Sequence, residues 1–107
     1  MRKTSKWLFA LIIMIHLTQV SAALDTARQA ELLYLLKNDC GSCHGMTRKG
    51  GLGPPLLPDN LRDRPPMLME NTVLDGRPGT PMPPWRGLLT EQEVHWLVEA
   101  IRRGEGL

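Results

Sequence analysis

Aromatic side chains are scarce in this chain of 107 residues, which has three tryptophans, one tyrosine and one phenylalanine. Trp7 and Phe9 fall near the start, so beyond them only Tyr34, Trp85 and Trp96 remain to fill a core. That is thin for a small domain, and domains of this size commonly rely on a disulfide, a metal or a cofactor to complete their interior. Cysteine is nearly absent as well, with Cys40 and Cys43 the only two, which excludes a scaffold of several disulfides. No alternating run is long enough to make a sheet, and no segment repeats, so the chain reads as all-α. An excess of charge is also missing. The 13 Lys and Arg against 11 Asp and Glu include Arg2, Lys3 and Lys6 in the leader. The rest of the chain is close to neutral and lacks the basic footprint of a nucleic-acid partner.

The leader itself has three parts. A basic head is followed by the apolar run WLFALIIMIHLTQV, from Trp7 to Val20, and then by the small residues Ser21, Ala22 and Ala23. Spanning a bilayer takes about 20 predominantly apolar residues, and this run is shorter and is broken by His16, Thr18 and Gln19. It reads as a secretory signal, residues 1–22, cleaved to release a single exported domain, residues 23–107, with no stable membrane insertion.

Three helices are expected in that domain. The first is capped by Thr26 with Gln29 as its capping-box partner and runs through AELLYLLK to the Asn38-Asp39 step, delivering Cys40 at its end. Leu32 to Leu36 are apolar all round, which predicts cover on more than one side. A second, short helix is expected from Met67 to Leu74, entered through Pro65-Pro66 and stopped by Gly76. The third has a capping box in Thr90 and Glu93, a staple in Leu89 and Val94, an apolar face in Val94, Leu97, Val98 and Ile101, and a stop at Gly104. Residues 45–66 and 75–85 are loops rich in glycine and proline. His95 is expected on the exposed face with Glu99 and Arg102, and Trp96 in packing contact beside the core.

Chemistry concentrates in CGSCH, residues 40–44. A disulfide oxidoreductase places its Cys-x-x-Cys at a helix N-terminus, whose dipole favours thiolate, whereas here the helix precedes the motif. A structural zinc site takes four ligands; Cys40, Cys43 and His44 give three, with His95 the only histidine left in the domain to complete the set. The third chemistry is covalent haem, for which Cys-x-x-Cys-His is the attachment signature. Two thiols add to the two vinyl groups and the next histidine is carried under the iron. An exported chain with no other cysteine favours this reading, and a large flat ligand also answers the shortage of core aromatics.

With CGSCH following one helix, GLGPPL at 51–56, GTPMPPW at 79–85 and a C-terminal helix, the sequence resembles a class I c-type cytochrome over residues 25–104. The resemblance implies the all-α cytochrome c-like fold, with N- and C-terminal helices and long loops packed around one haem c, covalently attached through Cys40 and Cys43. It implies His44 and Met82 as the axial iron ligands. It also implies that the Pro54 carbonyl meets the outer nitrogen of His44 and that Leu56 packs on the haem. Trp85 and Arg77 then either approach the propionates or serve as plain core and solvated turn. Chain reach supports Met82, since the distal ligand must come round the edge of the ring. Met46 is two residues from His44 and at about 3.5 Å per residue cannot make that trip, while Met67 and Met69 fall in a helix, where core packing explains them. Met82 lies between Pro81 and Pro83, which limits the entropy lost in fixing it.

Iron closed by imidazole and thioether suits one-electron transfer rather than catalysis, so the chain is expected to be a carrier and not an enzyme. Arg48, Lys49, Arg77 and Arg86 flank the two motifs, either as a basic rim for an acidic partner or as scattered solubility charges. DGRPGTPMPPW and the compact length resemble more closely the small monohaem cytochromes associated with haem d1 nitrite reductases, the cytochrome c55X group. That implies a periplasmic monomer exchanging electrons with a redox donor and acceptor, a haem d1 nitrite reductase among them. The alternatives are an accessory role in haem d1 maturation and a haem protein responsive to a small molecule.

Overall fold

The computed structural model describes residues 23–107, and the expected signal segment lies outside the described residues. Every regular element among them is helical. Helix α1 spans Thr26–Leu35 and continues through a π-helical turn, Leu36–Cys40, into a short helix α2, Gly41–His44. Helix α3 is Pro58–Leu61, α4 is Pro66–Asp75 and α5 is Glu91–Arg103.

The cap of α1 differs from expectation. Asp25 is the N-cap and accepts a hydrogen bond from the Arg28 amide at 2.7 Å, which makes Thr26 the first helical residue. Gln29 turns back to donate to the Leu24 carbonyl at 2.9 Å. Asp is among the strongest caps, and here it outcompetes the threonine beside it. The helix also does not stop at Asn38-Asp39. One residue is absorbed as a π turn, closed by the Gly41 amide on the Leu36 carbonyl, and the Cys-x-x-Cys-His motif stays helical to His44. Side chains support this stretch, with Asn38 donating to the Tyr34 carbonyl and Ser42 to the Asp39 carbonyl. Such one-residue insertions rotate the next turn of helix relative to the one before it, and they recur at functional sites.

Cover on α1 is partial. Leu32 and Leu36, one turn apart, are buried, Leu33 and Leu35 pack beside the core, and Tyr34 is 71% exposed. Helix α5 is the centre of the domain, packing mainly on α4 and also on α3 and α1. Its Val94, Leu97, Val98 and Ile101 join Leu32, Leu36, Leu61, Leu74 and Leu89 in one cluster. The capping box of Thr90 and Glu93 is present with both bonds, and Gly104 closes the helix in left-handed conformation. Glu93 also accepts from Arg28 Nε at 2.6 Å, tying α5 to α1. Trp96 is partly buried against the cluster. His95 is exposed but pairs with Glu70 of α4 at 2.8 Å rather than with its own helix. Helix α3 is additional to the three expected helices; its sequence signal is a proline at the first position with Asp59 in the first turn.

Candidate haem site

His44 is the last residue of α2, so the carbonyls of Cys43 and His44 have no partner further along the helix. The loop after it folds back to supply them. The Gly53 amide donates to Cys43 at 2.9 Å and the Gly50 amide to His44 at 2.8 Å. This return brings the Pro54 carbonyl to 2.7 Å from His44 Nδ1, and it lays the imidazole on the backbone of Gly53. A Cβ at Gly53 would sit 2.7 Å from both Cε1 and Nδ1 of the ring, so no other residue fits there without displacement. With Nδ1 as the donor to Pro54, Nε2 is left as the lone-pair nitrogen, the tautomer that a metal ligand requires.

The two thiols sit about one turn apart, Cys40 at the end of the π turn and partly buried, Cys43 on α2 and exposed, neither in a disulfide. Burial, reinforced by the neighbouring Asp39, pushes the Cys40 thiol up to about 11. It is therefore a neutral thiol at pH 7, unlike the activated thiolate of a disulfide oxidoreductase. Among the described residues no three His, Cys, Asp or Glu side chains converge to hold a metal ion, and His95 is engaged with Glu70. Among the described residues the zinc reading finds no fourth ligand.

Met82 stands in the second loop, which leaves α4 at Gly76 and returns at Trp85. The Arg77 amide donates to the Met82 carbonyl at 3.2 Å, and the Arg77 carbonyl accepts from both the Thr80 amide and its hydroxyl. Trp85 anchors the far end on the Val73 and Leu74 carbonyls and is partly buried against the core. Gly76, with φ 68, lets this loop close, since a Cβ there would fall 2.7 Å from the Met82 carbonyl oxygen. Met46 lies over Gly41, next to the attachment turn. Met69 packs on the core, whereas Met67 is 71% exposed, so core packing accounts for only one of that pair. Leu56 is half-buried beside the core, its amide on the Arg48 carbonyl at 2.9 Å.

The basic residues do not form one rim. Arg77 and Lys49 are exposed, but Arg86 is held by Asp75 at 2.8 Å and Glu91 at 3.0 Å, which holds the Asp75 carboxyl below its ordinary range. Arg48 is buried. Its burial, and the cradle that Gly53 makes for His44, were missed in the sequence; the Gly-rich spacing of residues 50–53 was the one available sign. A shallow polar groove between α3 and α5, lined by Pro58, Asp59, Arg62, Glu99, Arg102 and Arg103, contains none of the site residues.

The donor set fits a haem. Two thiols on one helical turn, an oriented imidazole and a thioether in a braced loop are the groups that hold haem c. Leu52 beside Gly53, Met67 and Leu88 are each more than 70% exposed, leaving apolar surface that the domain's own side chains do not cover. Such a helical domain and such a site define a small c-type cytochrome. Residues 26–99 match the family described as cytochrome c oxidase, cbb3-type, subunit III. The chain is 56% identical to a cytochrome c55X of Pseudomonas aeruginosa over 81 residues, covering 76% of this chain and 68% of that one. Its structure is similar to that of a c-type cytochrome NirC, with a TM-score of 0.75 and 54% identity, covering 77% of this chain and 96% of that one. It also resembles part of dihydro-haem d1 dehydrogenase NirN in complex with DHE, with a TM-score of 0.60 and 36% identity, covering 64% of this chain but 15% of that one. The chain belongs to the cytochrome c55X family of c-type cytochromes.

Proposed function

We propose that this chain is a periplasmic electron carrier of denitrification, exported by residues 1–22 and folded as residues 23–107 around one haem c. Cys40 and Cys43 would hold the haem through thioether bonds, and His44 and Met82 would ligate its iron. The haem supplies a one-electron iron couple. The chain's own residues fix its surroundings: Pro54 and Gly53 hold the imidazole in one tautomer and orientation, and the Gly76–Trp85 loop presents the thioether. Two ligands held this way would leave no open position for substrate, which favours electron transfer over catalysis. The observation that carries the reading is the 2.7 Å contact from His44 Nδ1 to the Pro54 carbonyl within an intact Cys-x-x-Cys-His turn. The partners are redox proteins of nitrite reduction, a haem d1 nitrite reductase being the acceptor that the resemblance to the cytochrome c55X group implies.

The likeness to the NirN fragment favours a second reading, in which the same electrons are exchanged during oxidation of a haem d1 precursor. One set of experiments tests the reading and separates the two. Protein from the periplasmic fraction should hold its pigment through acidified organic solvent, and its reduced spectrum should be unchanged by carbon monoxide. Met82→Ala should bind carbon monoxide, while Met67→Ala should not. Mixing reduced protein with a haem d1 nitrite reductase should oxidise it at a rate that depends on acceptor concentration. Pigment extracted by acid, or carbon monoxide bound rapidly by the wild type, would sink the carrier reading. Reduction of the oxidised protein by a haem d1 precursor system, with no oxidation of the reduced protein by the reductase, would establish the second.

A further inference from the structure

Arg48 carries two costs that its local structure does not explain. Its backbone is left-handed, with φ 57, the only non-glycine residue so placed among those described, where a side chain normally costs about 1–2 kcal/mol. Its side chain is 3% exposed, and Nη1 is buried with no hydrogen-bond partner. Strain and an unsatisfied buried charge at one residue point to a role.

The surroundings indicate which role. Nη2 donates to the Glu105 carbonyl, just past the end of α5, where helix dipoles favour cations. The main chain is woven into the haem site, its amide on the Gly45 carbonyl at 2.8 Å and its carbonyl accepting the Leu56 amide at 2.9 Å. Among the described residues no carboxylate pairs with this charge, and Cys40 of the attachment motif is the titratable group close enough to interact with it. A guanidinium stays protonated even when buried. The contrast is Arg86, exposed and paired twice with carboxylates.

We propose that Arg48 is a fixed buried charge that sets the redox balance of this site, held in place by the C-terminal end of α5 and stabilising the reduced haem over the oxidised one. The proposal rests on the reading that Cys40, Cys43 and His44 hold the haem. A ferric porphyrin carries one more positive charge than a ferrous one, so an uncompensated cation in a low-dielectric interior disfavours the ferric form. Salt cannot screen a charge so buried as it screens a surface one.

The test is the midpoint potential of the haem-loaded protein, titrated at low and high salt, for Arg48→Gln, Arg48→Lys and the surface control Lys49→Gln. Arg48→Gln, which keeps a donor for Glu105 but loses the charge, should have a lower potential than wild type at both salts. Lys49→Gln should shift slightly at low salt and match wild type at high salt. Arg48→Lys should match wild type at neutral pH and fall below it as pH rises, because a buried lysine releases its proton where arginine does not. That pH-dependent difference decides the matter if Arg48→Gln fails to load haem. Haem-loaded variants at Arg48 with the wild-type potential at every pH would overturn the proposal alone. Wild-type protein without covalent haem would overturn the site reading and the proposal with it.

Discussion

Gly53→Ala adds one methyl group at the point where the proximal histidine meets the backbone. The new Cβ would lie 2.7 Å from Cε1 and Nδ1 of His44 and 3.2 Å from Cγ, against a comfortable separation of about 3.5–4.0 Å for such atoms. Ring or loop must therefore give way by about 1 Å. The contact from Nδ1 to the Pro54 carbonyl starts at 2.7 Å, and a displacement of that size takes it beyond hydrogen-bonding range. Overpacking of this kind costs about 1–3 kcal/mol, and the lost hydrogen bond adds about 1 kcal/mol. Gly87→Ala is the matched control, since nothing lies within 4 Å of its added Cβ and its φ is not positive. It should be neutral or stabilise by about 0.4–1 kcal/mol through the unfolded chain. Denaturant unfolding of the two variants, together with the midpoint potential of the haem-loaded protein, measures both consequences. Gly53→Ala should be destabilised and have an altered potential, because the imidazole loses the acceptor that raises its basicity. Equal unfolding curves and equal potentials for the two variants would refute the claim that Gly53 seats His44.

Gly76→Ala should damage the other loop. Its Cβ would meet backbone atoms of Met82, Pro83 and Pro84 at 2.7–2.9 Å, in a region of backbone space (φ 68, ψ −169) that only glycine occupies readily; a loss above about 2 kcal/mol is expected in unfolding experiments, with carbon monoxide binding to the reduced haem if Met82 is the distal ligand. Glu93→Gln should cost about 1–3 kcal/mol at neutral pH by weakening the capping box and the link to Arg28. Because Arg28 holds the Glu93 carboxyl below its ordinary range, that contribution is complete above the unfolded value of about 4.3 and is lost as pH falls through the lower folded one. Wild type and variant should therefore converge in stability in acid, and a gap that stayed constant down to that range would contradict the assignment. Asp25→Ala should destabilise the first helix by about 1 kcal/mol while Thr26→Ala changes stability little, as thermal unfolding would show.

Features written into neighbouring residues were legible in the sequence. The capping box at Thr90 and Glu93, the stop at Gly104, the apolar stripe of α5 and the helix opened by Pro66 all depend on contacts within a turn or two, where spacing and residue type suffice. The Cys40, Cys43 and His44 spacing belongs to the same class, because a single turn of helix fixes it. Even locally there was competition. Asp25 and Thr26 are both good caps, and the stronger of the two, Asp25, takes the position. The π turn at Leu36–Cys40 had no local signal in the sequence; in the folded chain Leu36 within it and Gly41 just after it are both buried.

What sequence alone determined was the set of helices and the chemical identity of the donors on one short turn, since both arise from interactions that close within a few residues. Only the folded chain decided which charges are spent and which remain: Arg86 on Asp75 and Glu91, His95 on Glu70, and Arg48 buried against a carbonyl 57 residues away. A guanidinium looks the same in any sequence. Its burial and its partners depend on which distant backbone lands beside it, and that is settled when α5 closes over the loop after His44.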